Sequence, residues 1–315
     1  MTLRPALAVI VWFFLPLLAS GTLAAADYPG MPAGKQGYDE FVALFDDFLL
    51  WLDPEQARKQ QSMVDLAGLE ADVYPDFGAD AMAARLARLH EYQEQLDDFS
   101  VQEWPRDQQV EFLAVRARMD QEEFTLRVSR PWSRDPGFYV DRLLRPTFTE
   151  LPVAGDARRD FERVLDAIPG LVLQGKANLT DVAADYADLA IFNLANADGV
   201  GHGYPYRAVP PEGVIGWYDD LLERAVAEQP DLVPRIESAR AAVNGFRDWL
   251  DANRSAMTAN AGVGKAAFDW YLKHVKLMPY TSDEIVTLGR RELDRLWAQY
   301  ALERHRNREL PELTL

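Results

Sequence analysis

Four histidines, at positions 90, 202, 274 and 305, are the only imidazoles of the chain, and there is no cysteine. Zinc-dependent hydrolysis built on a helix needs two His one turn apart, so that both rings share a face, with a Glu between them as general base. His90-Glu91 is the single His-Glu pair, but the position that should carry the second His is Glu94. The chain therefore offers no metal site, no metal-bound cofactor and no catalytic base of that kind. A nucleophilic Ser mechanism finds no Gly-x-Ser-x-Gly turn. Gly262-Val-Gly-Lys265 resembles the end of a phosphate-binding loop, but Ala259 and Ala266 stand where the leading Gly and the hydroxyl residue belong. Those glycines read instead as the boundary between two helices. Acid pairs at Asp46-Asp47, Asp97-Asp98, Glu122-Glu123 and Asp219-Asp220 cannot converge on one bond, because neighbours on a helix point about 100° apart. They read as solvated faces.

One segment keeps chemical potential. Asn196 to Pro211 carries glycines at 199, 201 and 203 among two tyrosines, a His and an Arg, so it reads as an irregular loop between helices. His202, Tyr204, Tyr206 and Arg207 would give it a titrating group, two aromatic surfaces and a carboxylate clamp. They are the candidate substrate-binding residues.

The elements around that loop all show helical periodicity, and no hairpin signal joins alternating strands. The expected class is all-α, a multi-helix array. The spacing predicts helices over Tyr38–Leu52, Ala79–Phe99, Arg106–Val128, Asp135–Leu144, Ala157–Ile168, Leu179–Ala195, Pro211–Ala227, Asp231–Asn253, Gly264–Val275 and Thr281–Arg304. Thr281 and Glu284 have capping-box spacing. The helix they open places Ile285, Val286, Gly289, Leu293, Leu296, Trp297 and Tyr300 on one face. Gly289 there costs about 1 kcal/mol against Ala, which close approach of another helix would offset. Glu292, at the margin of that face, needs a partner such as Arg295.

The N-terminus has the form of a secretory signal. Arg4 precedes the apolar run Ala6–Leu15, and small residues end at Ala24-Ala25-Ala26, giving an expected signal peptide over residues 1–26 with cleavage after Ala26. An extended leader over 27–37 and a helical domain over 38–315 follow. The expected location is the periplasm or the exterior. A formal charge of −17 argues against nucleic acid and anionic membrane as partners. Without Cys, stability must come from an ordinary apolar core.

From Gly262 to Leu313 the sequence carries a pattern. Phe268, Tyr271, Leu272, Lys273, His274, Thr281, Asp283, Glu284, Gly289, Glu292 and Arg295 fit the bacterial family known as domain of unknown function 885, whose longer members resemble zincin-type metallopeptidases. The resemblance implies the N-terminal helical half of such an enzyme, walling one side of a cleft in which peptides are hydrolysed. It also implies zinc in the full-length relatives, held by a His-Glu-x-x-Pro-Gly-His-His segment further along, and a missing C-terminal half as packing partner. This chain lacks the metal ligands and the base, so as a fragment it is expected to be inactive. The competing reading is a non-catalytic helical binding or interaction protein of the cell envelope.

Overall fold

The computed structural model describes residues 37–52, 73–196 and 211–311, and within them every named element is a helix. Among these residues Ala183 and Ala259 form an isolated parallel bridge, and no strand is named. The chain is all-α. No helix among the described residues is long and apolar enough to cross a membrane.

Helices α1 (Tyr38–Leu52), α2 (Ala79–Asp97) and α3 (Arg106–Phe124) form one layer. Phe41, Phe45 and Phe48 recur at helical spacing on α1 and are buried with Leu89, Tyr92 and Leu96 of α2 and Phe112, Val115 and Met119 of α3. Two short helices, α4 (Pro131–Arg134) and α5 (Gly137–Leu144), lead into the second layer. This comprises α6 (Gly155–Asn178), α7 (Ala184–Ala195), α8 (Gly213–Glu228) and α9 (Val233–Asn253). α9 is its axis: Ile236, Ala239, Val243, Phe246 and Leu250 alternate at three and four residues and are fully buried. Each large apolar side chain so buried contributes roughly 1.5–3 kcal/mol. One continuous apolar core joins the two layers.

Most helix boundaries fall within a few residues of expectation, and two differ by more. The helix predicted to stop before Pro169 runs on to Asn178 with Pro169 inside it. A mid-helix proline costs about 3 kcal/mol, but stopping there would strand Leu171 and Val172, which are buried with Leu165 and Ile168 on the same face. Gly175 also sits so close to Tyr139 that an added Cβ would lie 3.1 Å from its ring. Tertiary packing overrides the local signal. The predicted Leu179–Ala195 helix begins only at Ala184, because the preceding backbone is paired elsewhere: Asp181 N donates to Ser133 O, and Ala259 N donates to Val182 O.

Two further helices, α10 (Lys265–His274) and α11 (Ser282–Arg306), end the described chain. Gly264, at φ 84°, precedes α10, in line with reading these glycines as a helix boundary. The capping box forms: Thr281 Oγ1 accepts from Glu284 N, and Thr281 N donates to Glu284 Oε2. Yet α11, 25 residues long, has no buried residue. Val286, Leu293, Leu296 and Tyr300 are about half exposed, and Trp297 is 60% exposed. Nothing lies within 4 Å of a Cβ built on Gly289. Glu292 does pair with Arg295, at 2.8 Å, but both side chains are exposed, so its desolvation is not seen.

Candidate functional site

The candidate substrate-binding residues His202, Tyr204, Tyr206 and Arg207 lie outside the described residues, as do residues 1–36 with the expected signal peptide. What the structure brings together is a different group, at the junction of α2, α3 and α10.

Asp120 is buried on α3 along with Phe112, Val115, Ala117, Met119 and Phe124, and is only 8% exposed. Its Oδ1 accepts from Gln93 Nε2 at 3.4 Å, and the same amide donates to Glu123 Oε2 at 3.0 Å. His274, the last residue of α10, places Nδ1 3.9 Å from Asp120 Oδ2. The imidazole stacks on Trp270 at 4.7 Å between centroids. Trp270 in turn stacks on Phe124, which also meets Tyr271 at 4.8 Å. α10 is thus seated on α3 by an aromatic seam with one acid–imidazole pair at its edge.

Burial pushes the Asp120 carboxyl up to about 6, with Arg116 opposing the shift and Glu123 adding to it. Burial, then the charges of Lys273 and Arg116, lowers His274. Glu123 is held below its ordinary value by Gln93 and Arg127, against the cost of its own burial. Such perturbed groups mark a functional candidate. Next to them α3 widens into a π-helical turn over Thr125–Ser129 and ends at Arg130 with φ 39°, an irregularity frequent at functional positions.

The cavity beside this junction, lined by Glu123, Phe124, Arg127, Val128, Ala267 and Trp270, measures about 110 Å³. That is below the size of pockets holding small organic ligands, so the group seats α10 on α3 rather than enclosing a peptide. Among the described residues no three His, Cys, Asp or Glu side chains converge as metal ligands. Sequence reasoning passed over Asp120, Gln93 and Trp270. The signal available was an Asp one helical turn before Phe124.

The acid pairs split their partners, as the helical angle requires. Glu122 pairs with Arg85 of α2 at 3.0 Å, while Glu123 turns to Gln93 and Arg127. Asp219 reaches Arg240 and Asp220 reaches Arg224. The expectation of solvated faces is corrected at Glu122 and Glu123, whose side chains are 12% and 15% exposed. They tie helices together rather than facing water.

The architecture is that of an all-α helical array. The chain belongs to the family described as bacterial protein of unknown function (DUF885), which matches residues 62–309. No curated protein matches it. Among solved structures it is similar to one described as "a putative lipoprotein of unknown function from Shewanella oneidensis", with a TM-score of 0.63 and 15% sequence identity. The match covers 89% of this chain and 50% of that one. At that identity the likeness shows the fold alone, and the chain spans half the length of the structure it matches.

Proposed function

We propose that this chain is the helical part of a longer, exported zinc peptidase, with the metal ligands and general base on polypeptide beyond Leu315. One observation carries the reading: α11 presents an apolar face along its whole length and has no buried residue. Monomeric proteins rarely leave such a stripe in water, and Gly289 in its middle, with open space over it, suits the close approach of another helix. The half-length match to the similar structure supports a larger protein, and the Gly262–Leu313 pattern supports the peptidase class. An envelope location agrees with the signal-like residues 1–26 and with the lipoprotein description of the similar structure.

The residues present do not fit zinc, since no three donors converge among those described. No catalytic step is therefore assigned to this chain, and its part is to wall the cleft. The segment bearing His202, Tyr204, Tyr206 and Arg207 is proposed to contact the peptide.

The test is to express the reading frame through any continuation past Leu315. The expected result is one zinc per polypeptide and peptide hydrolysis that a chelator abolishes, with neither in residues 27–315 alone. Stoichiometric zinc on the 315-residue chain would overturn this assignment. A continuation without two His at helical spacing would overturn it in favour of a non-catalytic envelope protein that uses the α11 face to bind its partner.

A further inference from the structure

The direction in which α11 leaves the bundle is fixed by side chains of α10. Asp269, in the second turn of α10, accepts from the backbone N of Ser282, the first residue of α11, at 2.7 Å through Oδ1. Its Oδ2 accepts from Lys265 Nζ at 2.6 Å, and that ammonium also lies 3.4 Å from Asp283 Oδ2. A helix start leaves its first backbone N–H groups without intrahelical partners. Thr281 serves Glu284 N from within the helix, whereas Ser282 N is served from α10. The carboxylate also faces the positive end of the α11 dipole.

The connection between the helices is equally determined. Val275 N and Lys276 N donate to Tyr271 O, Met278 N donates to Leu272 O, and Leu277 takes φ 51°. One wall of the turn is thus closed by backbone hydrogen bonds and the other by a Lys–Asp–backbone bridge.

The geometry points to Asp269 and Lys265 as an elbow clamp that holds α11 at one angle, so that its apolar face is a preformed docking surface for the rest of the polypeptide. What docks there rests on the proposed function; the clamp itself does not. Lys265, then Ser282, hold the Asp269 carboxyl down at about 2, so the bridge stays charged at any pH above strong acid. A preset surface removes an ordering cost from docking. Were α11 free to swing, the partner would have to order it while binding.

The experiment is read on this chain alone. It has no native Cys, so Val226→Cys on α8 and Ala301→Cys on α11, both exposed, take nitroxide labels for pulsed electron–electron distance measurement. The parent is expected to give one narrow distribution. Asp269→Ala and Lys265→Ala should each broaden it at least twofold with helicity unchanged. Asp269→Asn, which keeps an oxygen for Ser282 N but loses the ion pair, should fall between. A distribution already as broad in the parent, or unchanged in both alanine variants, overturns the clamp. Loss of helicity in place of broadening overturns it too, leaving Asp269 as a cap only. Because neither zinc nor hydrolysis is measured, failure here and failure of the peptidase reading are separate results.

Discussion

In a polypeptide extended beyond Leu315, replacing Leu296 and Trp297 together with Ser is expected to lower unfolding stability by roughly 4–8 kcal/mol, the scale of truncating two buried large side chains. The same changes in the 315-residue chain should stay within about 0.5 kcal/mol, as for surface positions, because both side chains already stand half or more in water. They should also reduce its self-association, which an open apolar stripe favours. Gly289→Ala should change sign between the two proteins. In the shorter chain nothing meets the new methyl group, and helix propensity alone favours it by about 1 kcal/mol. In the longer one the methyl group would sit where a helix is proposed to approach. Chemical denaturation of both proteins reads the stability changes, sedimentation reads the self-association, and equal costs in the two would contradict the covering of α11.

Asp120→Asn is expected to stabilise the chain at pH 7–8 by about 2–3 kcal/mol and to have little effect near pH 4. The folded-state carboxyl titrates at about 6 instead of 3.8, so between those values the native state holds a proton that the unfolded state has released. Stability from this group therefore falls as pH rises from about 4 to 6, by about 1.4 kcal/mol for each pH unit, and stays low above it. An amide has no such slope and can still bond Gln93. The measurement is the difference in urea midpoint between parent and variant across pH 4–8. A flat difference, or a gain confined to acid pH, would show that Asp120 is not held neutral by burial. His274, shifted the opposite way, gives the opposite slope, and its variant is the control that separates the two groups of the pair.

Much of the fold was legible because local signals and packing agree over most of its length. α1 spans Tyr38–Leu52 as its apolar spacing and Pro54 imply, and Thr281 with Glu284 forms the box that their spacing announces. Where the two conflict, packing decides. Pro169 should end a helix, but a buried stripe on both sides of it and the contact of Gly175 with Tyr139 carry the helix through. Leu179 to Ala183 has helical composition yet is not helical, since Asp181 N and Val182 O find their partners in Ser133 and Ala259, distant in sequence. The candidate site was harder to see for the same reason. Asp120, Gln93 and His274 lie on three helices and acquire their chemistry only when burial and a neighbour act on them, whereas a motif scan sees residues adjacent in sequence. The open face of α11 was visible as a pattern. Whether anything in residues 38–260 covers it is a question only the packing of the whole chain could answer.

Hydrogen–deuterium exchange over Ile285–Leu302 tests that central point most directly, compared between the 315-residue chain and the polypeptide continued past Leu315. Exchange should be fast in the shorter chain, where α11 has no buried residue, and slower by at least two orders of magnitude in the longer one, where burial ties its opening to global unfolding. Equal exchange in the two would contradict it, because α11 would then be a helix that no further part of the protein covers.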